Sequence, residues 1–412
     1  MTSDLKRVPS EGAPSSVSRQ PPRYIADPDG LRSLSRHLRD SDRIALDTEF
    51  VGEGRFVPRL ELIQVATGDL CAVIDVPALG DVTELGEALG DQRILKVFHA
   101  GRQDLELLNA HTGALPLPFF DTQLAAAMVG YGLQAAYGQL VQKITGKKLD
   151  KSHTYTNWSQ RPLTQEQINY ALEDVQFLFP IHDHLVKRLR SLGRLDWVQE
   201  EFARLQSSLS DGARGPHERF RRIRGWENLK PRAGAVLKEL AAWRDEEARR
   251  RDVPRGRVVR DEVLLELARR PPATLQDLKG TRGLHGAEVE RNGEAILAAV
   301  QRGLAIPESE WPTVSTARAP EPESSGQVDL LQAVLKALAK DEHIAPSLLA
   351  TASDLQALVD AKHGRDKLDL PILHGWRRKL AGERLLQVLD GKTGVSVDRH
   401  TGKLRLTPNQ LQ

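Results

Sequence analysis

The 412-residue chain holds a single cysteine, Cys71, which excludes an internal disulfide and any cysteine-rich zinc site. Cys71 stands in the apolar run C-A-V-I-D-V and reads as a small core residue. No stretch of about 18 apolar residues occurs, which excludes a membrane-spanning helix. Residues 1–22 are rich in proline and serine and lack an apolar core of signal-peptide length. They read as a disordered tail, and with neither leader nor span the expected location is the cytoplasm. Net charge is also scarce, at +2, so local asymmetry matters more than the total. Hydrophobic residues make up 40%, enough for real cores, and the length exceeds what one core fills, so two to four domains are expected.

Acidic residues are present in a telling setting. In R-I-A-L-D-T-E-F, Arg43 to Phe50, a short apolar run ends in two carboxylates one residue apart. Alternate residues of a strand share a face, so Asp47 and Glu49 project together from a strand end. Two like charges that close repel unless a cation lies between them, and hard divalent cations such as Mg²⁺ take oxygen ligands. A strand running out into a solvated acidic turn is the plainer account of a lone D-x-E. Motifs further along the chain decide between the two.

A helix carrying Leu31, Leu34 and Leu38 precedes this strand. Two apolar runs come after it, L-E-L-I-Q-V-A from Leu60 and C-A-V-I-D-V from Cys71, and the turn at Gly68 and Asp69 makes them antiparallel neighbours. A helix over 81–89 and a fourth strand over 94–99 come next, and strands followed by helices at this spacing predict an α/β or α+β domain with a mixed sheet. H-A-G-R-Q-D-L-E-L-L is then a strand-to-helix turn. In it Gly101 permits a tight bend and Asp104 falls in the first helical turn, where an acid also complements the helix dipole. Asp121 stands just before a helix-forming run and reads as its N-cap. The polar stretch 147–164 is a loop. A long helix is predicted over 165–189, with Thr164 as N-cap and Gln167 placed for a capping box. Tyr170 and Asp174, four apart, lie on one of its faces.

Between Arg214 and Arg260 there are fifteen Arg or Lys against seven Asp or Glu. Helical apolar periods at Ala235, Leu237, Leu240 and Trp243, and again at Val263, Leu264, Leu267 and Ala268, predict a compact all-helical domain with a basic face. Ordinary solvated surface is the alternative for that charge. Residues 305–327, with four prolines, have a linker signature. A second helical unit comes after them over 328–389 and reads as a diverged repeat of the first.

The order D-x-E, D, Y-x-x-x-D resembles the DEDD superfamily of 3′→5′ exonucleases, in the subgroup whose third motif carries tyrosine, and within it the ribonuclease D family. I-A-L-D-T-E-F, L-E-L-I-Q-V-A, F-H-A-x-x-x-D-L-x-x-L, F-D-T-Q-L-A-A, W-x-x-R-P-L-T and Y-A-x-x-D-V stand where that family has them. The resemblance covers 25–189 strongly, and the two later helical units resemble HRDC domains. It implies an α/β ribonuclease-H-like exonuclease domain with a mixed sheet at 23–205 and all-α HRDC-like domains at 215–304 and 328–392. The remaining stretches are the linker at 305–327 and tails at 1–22 and 393–412.

For function, the resemblance implies hydrolysis of phosphodiester bonds from RNA 3′ ends, releasing nucleoside monophosphates, with tRNA 3′ processing as the task and tRNA precursors as partners. Two divalent metal ions, Mg²⁺ or Mn²⁺, would be held by Asp47, Glu49, Asp104 and Asp174, with Tyr170 orienting the attacking water. Phe50, Trp158 and Arg161 are expected to meet the substrate by stacking and phosphate contact, and Lys151 to neutralise phosphate. Core packing is the alternative for Phe50, and solvent exposure for Lys151. A monomer is expected. A DNA 3′→5′ exonuclease and a non-catalytic nucleic-acid-binding adaptor are the competing readings. The five filled catalytic positions weigh against the adaptor, while no pattern marks a contact to the 2′-hydroxyl that would separate RNA from DNA.

Overall fold

The computed structural model describes residues 21, 23–52, 54–149, 156–211, 216–312, 322–363 and 370–409. The expected tail at 1–22 therefore lies outside the described residues except for Pro21. The chain divides into two compact units, one of 1–49, 60–205 and 317–412, the other of 50–59 and 206–316.

A six-stranded sheet organises the first unit. Its strands are β1 (Arg23–Ile25), β2 (Arg43–Val51), β3 (Arg59–Ala66), β4 (Cys71–Asp75), β5 (Leu95–Phe98) and β6 (Phe119–Asp121), in the order β1-β4-β3-β2-β5-β6. β3 and β4 are antiparallel, with Ile63 opposite Ile74, as the Gly68-Asp69 turn predicts. β1 runs parallel to β4, and β2, β5 and β6 run parallel to one another. The sheet is mixed, as expected. β1 and β6, at three residues each, are too short for an alternating pattern to show in the sequence. β3 from Leu60 onward and all of β4 are buried, as in strands covered on both faces.

The helices of this region are α1 (Pro28–Arg39), α2 (Arg102–Thr112), α3 (Thr122–Met128), α4 (Tyr137–Thr145), α5 (Gln165–Gln176), α6 (Leu178–Ser191) and α7 (Leu195–Asp211). α1 buries Leu31, Leu34 and Leu38 and is capped by Asp27, which accepts the Gly30 N–H. The helix predicted over 81–89 is instead a 3₁₀ turn at Thr83–Leu85 followed by a short helix at Gly86–Gly90. Gly86 marks the join, where a Cβ would meet the Thr112 carbonyl at 2.7 Å. The single helix predicted over 165–189 breaks at Phe177 into α5 and α6. Pro180 supplies the reason: without an N–H it cannot bond the Gln176 carbonyl, and its ring crowds that group, so the chain restarts with Pro180 in the first turn of α6.

The second unit gathers α8 (Pro231–Arg251), α9 (Asp261–Arg269), α10 (Leu275–Lys279) and α11 (Gly286–Ala305). They surround a core that includes Leu237, Leu240, Trp243, Val263, Leu264, Leu267 and Ala268 from the predicted apolar periods, joined by Ile296 and Val300 of α11. Segment 50–59, expected within the exonuclease domain, belongs to this unit. Phe56 packs against the helical core, the Arg255 guanidinium lies 4.5 Å from its ring centroid, and Arg55 pairs with Asp252 at 3.1 Å.

The C-terminal part of the first unit comprises α12 (Pro322–Asp341), α13 (Ala352–His363), α14 (Glu383–Leu389) and the hairpin β7 (Thr393–Val397) and β8 (Leu404–Pro408). Its layout departs from expectation in three ways. α12 begins inside the predicted linker 305–327, with proline in its first position, where the missing N–H costs nothing. The predicted tail 393–412 contains the hairpin, with Val395 opposite Leu406. The helical region expected to form a separate domain at 328–392 packs on α7 instead. Trp376 stacks on Trp197 with ring centroids 4.6 Å apart, and donates its Nε1–H to Glu201 at 3.1 Å. Arg194, 6% exposed, donates to the Met128 carbonyl at 2.8 Å and to Glu342. Such buried aromatic and charge-assisted contacts are what fix one helical layer on another.

Candidate active site

β2 delivers the first two carboxylates. Along it Ile44, Ala45, Leu46 and Thr48 are buried while Asp47 and Glu49 keep partial exposure, so the strand's two-residue period sends both acids to one face. Thr48, between them, donates its hydroxyl to Asp104 in the first turn of α2. Asp104 is 7% exposed, and the strand-to-helix turn thus carries it to the strand that bears Asp47 and Glu49. α5 brings Asp174, and Tyr170 one turn earlier. The α5 N-terminus is fixed by the predicted capping box, Thr164 and Gln167 each bonding the other's backbone N–H.

Electrostatics ties the four acids into one group. Burial pushes the Asp47 carboxyl well above the usual range, and Asp104, Asp174 and Glu49 push it further. Glu49 is raised to about 8 by burial, then by Asp174 and Asp104. Asp174 is raised to about 7 by burial and by Glu173. Burial likewise lifts Asp104 to about 6, against the opposing Thr48 bond. Groups so perturbed mark a site whose charge awaits compensation. Among the described residues no three acidic, histidine or cysteine side chains are grouped closely enough to hold a metal ion. The donor set, four hard carboxylates of like charge, fits divalent cations.

The expected substrate contacts fare differently. Trp158 is 6% exposed and its ring lies 6.2 Å from that of Tyr170, so it is a wall beside the tyrosine. Arg161 is directed inward: Nε and Nη2 donate to Asp75 at 2.6 and 3.0 Å, and Nη1 donates to the carbonyls of Trp158 and Gln160. Asp75 is 1% exposed, and a pair this well bonded pins the loop to the end of β4 rather than offering a fork to phosphate. Phe50 continues β2 beyond Glu49 and is half-buried. Lys151 lies outside the described residues.

Of two supporting residues, one was legible in part and the other not at all. Asp121 caps α3 through Gln123 and Leu124, as predicted, but also accepts the N–H groups of Ala100 at 3.2 Å and Gly101 at 3.0 Å. The strain in that turn sits on Ala100, at φ 56°. Gly101 is needed for closeness, since a Cβ there would stand 2.4 Å from Phe98 Cβ. Tyr137 escaped the sequence altogether. Its hydroxyl donates to the Glu173 carbonyl at 2.9 Å and accepts the Phe177 N–H at 3.2 Å, clamping the α5–α6 break beside Asp174. Pro180 could have announced the break, but nothing marked its partner.

Discounting β1, the sheet has its strands in the order three-two-one-four-five with the second antiparallel to the third, and it gathers acids from a strand, a turn and a helix. This fold and site define a ribonuclease-H-like 3′→5′ exonuclease of the DEDD type. Residues 22–190 match the family model of a 3′-5′ exonuclease and residues 233–300 that of an HRDC domain. The chain is 37% identical over 402 residues to ribonuclease D of Granulibacter bethesdensis, covering 95% of this chain and 99% of that one. Ribonuclease D of Zymomonas mobilis is 38% identical over 93% and 97% of the two chains. The crystal structure of Escherichia coli RNase D, described as an exoribonuclease involved in structured RNA processing, superposes with a TM-score of 0.79 at 32% identity over 90% of this chain and 99% of that one. The chain belongs to the ribonuclease D family, whose activity is 3′→5′ exoribonuclease and whose DEDD chemistry depends on divalent metal.

Proposed function

We propose that this protein trims the 3′ ends of structured RNA, tRNA precursors among them, acting as a monomer in the cytoplasm with two Mg²⁺ or Mn²⁺ ions held by Asp47, Glu49, Asp104 and Asp174. The reading is carried by the bond from Thr48, between Asp47 and Glu49 on β2, to Asp104, together with the upward displacement of all four carboxyls by burial and of Asp47 and Glu49 by the other acids of the set. Bound divalent cations would supply an activated water and stabilisation of the leaving oxygen. The chain's own residues do the rest. Tyr170, on the helical face of Asp174 and one turn from it, would orient the attacking water through its hydroxyl. Thr48 fixes one oxygen of Asp104. Trp158 borders the tyrosine, and Phe50, next to Glu49, is offered to the terminal base for stacking.

The test is cleavage of matched RNA and DNA oligonucleotides labelled at the 5′ end, with Mg²⁺ or Mn²⁺ and with excess chelator. Stepwise shortening of RNA by single nucleotides, abolished by chelation, is the expected result. Faster degradation of DNA would favour a DNA exonuclease, and activity that survives the chelator would sink the two-metal reading.

A further inference from the structure

The second unit contains a cavity of about 530 Å³ that lies apart in sequence from all five proposed catalytic residues. Five arginines line it, Arg219, Arg222, Arg244, Arg255 and Arg260, against three acids, Asp245, Asp261 and Glu262. Asp245, 2% exposed, takes Arg255 at 2.6 Å and Arg219 at 3.3 Å. Asp261 takes Arg244 at 2.6 Å. Arg222 and Arg260 are exposed and have no ion pair or side-chain hydrogen bond among the described residues. Arg244 is 5% exposed, and its Nε is buried without a hydrogen-bond partner, so a guanidinium already stripped of water is left under-satisfied. Burial draws the Arg219 guanidinium below its usual pKa, and although Asp245 opposes this, Arg255, Arg222 and Arg249 crowd it further. Guanidinium groups gathered in a recess repel one another until an anion joins them.

The shape and chemistry of the wall narrow the anion. The rest of the lining is Ile223, Ala241 and Gly256, with no aromatic ring on which a base could stack. Planar guanidinium forks match phosphate oxygens two at a time. We propose that this cavity is a phosphate-binding site, which takes a phosphate group of a nucleotide by its charge and oxygens and leaves the base unread. The choice of nucleotide phosphate over other anions rests on the exoribonuclease reading, since that reaction brings the protein both RNA phosphodiesters and the nucleoside monophosphates it releases. Either source presents the same group.

The test compares three full-length proteins: wild type, the double variant Arg222→Gln with Arg260→Gln, and a double variant Arg232→Gln with Arg257→Gln. The last removes the same charge from exposed arginines of the same unit that do not line the cavity. With chelator present to keep RNA intact, RNA affinity is measured by anisotropy across a salt series, and inorganic phosphate and AMP by calorimetry. The cavity double should lose about tenfold in RNA affinity at low salt. Its slope of log affinity against log salt should fall by about 1 to 2, at roughly one unit or less for each phosphate the protein no longer neutralises, with a smaller change in the outside double. Loss of phosphate or AMP binding in the cavity double with RNA affinity intact keeps the site and assigns it to the free nucleotide. Equal effects in both doubles, no effect in either, or no binding of any probe by the wild type would overturn it. Cleavage of a short RNA with Mg²⁺ is measured on the wild type and the outside double, and its absence from the wild type would refute the exonuclease reading, not the phosphate site.

Discussion

The carboxylate of Asp121 accepts the backbone N–H of Gly101 at 3.0 Å, twenty residues earlier in the chain, while its other oxygen caps α3. One buried side chain, 3% exposed, thereby holds both the helix that begins just after it and the turn that launches α2. Asp104 stands on the first turn of α2, so the position of a proposed metal ligand is set from β6 through backbone bonds.

Asp121→Ala is expected to cost more than a lost N-cap alone. A cap is worth about 0.5 to 2 kcal/mol, and two further N–H groups would be left without partners, each costing about 1 kcal/mol or more. A loss of about 2 to 4 kcal/mol in urea unfolding, together with reduced activity in the protein that remains folded, is the expected pair of results. Activity equal to wild type in folded Asp121→Ala would show that the grip on Gly101 does not position Asp104.

Asp174→Asn removes one of four repelling carboxylates. Asp174 is raised to about 7, so the folded state holds its proton more tightly than the unfolded state does. Its contribution is favourable below the unfolded value near 4 and is lost as pH rises through about 7. Without metal, the variant should therefore match wild type at pH 4 and be as stable or more stable at pH 8. At pH 8, millimolar Mn²⁺ should raise the melting temperature of wild type, raise that of the variant less, and leave the variant slower by at least ~10² in cleavage. A Mn²⁺-induced shift of equal size in both proteins would remove Asp174 from the ligand set.

Tyr137→Phe keeps the ring and deletes only the hydroxyl that joins Glu173 to Phe177. The α5–α6 break should loosen, misplacing Asp174 and Tyr170. Measured well below the melting temperature, kcat should fall about tenfold, in keeping with the rate cost of small misplacements, while KM holds. A variant whose melting temperature drops but whose kcat is unchanged would show that the hydroxyl serves the fold alone.

Burial holds His99 down at about 4, where it bonds Thr122 Oγ1 at 2.9 Å. A histidine near 6.5 in the unfolded chain binds its proton first, so the stability contributed by neutral His99 is present above that value and lost as pH falls towards 4. The loss approaches about 3 kcal/mol. The raised carboxyls change stability in the opposite sense over the same range, so the measurement is the difference between wild type and His99→Gln in urea unfolding at pH 7.5 and 5. Wild type should lose more than the variant, and parallel losses would discount His99.

The sequence by itself determined the elements whose signals are local. Alternation along β2 put Asp47 and Glu49 on one face, helical spacing put Tyr170 over Asp174, and Thr164 with Gln167 announced the start of α5, because each depends on backbone periods of two or four residues. The ordered motifs also carried the family. What only the tertiary structure decided depends on residues far apart in the chain. Asp121 reaches back to Gly101, Tyr137 forward to Phe177, and Arg161 across to Asp75, each satisfying a buried polar group whose partner no local pattern names. The same holds for the large pieces: 50–59 joins the helical unit through Phe56 and Arg55, and 322–409 joins the nuclease through Trp376 and Arg194. Apolar period shows that a helix has a face to bury, and only the folded chain settles what that face is buried against.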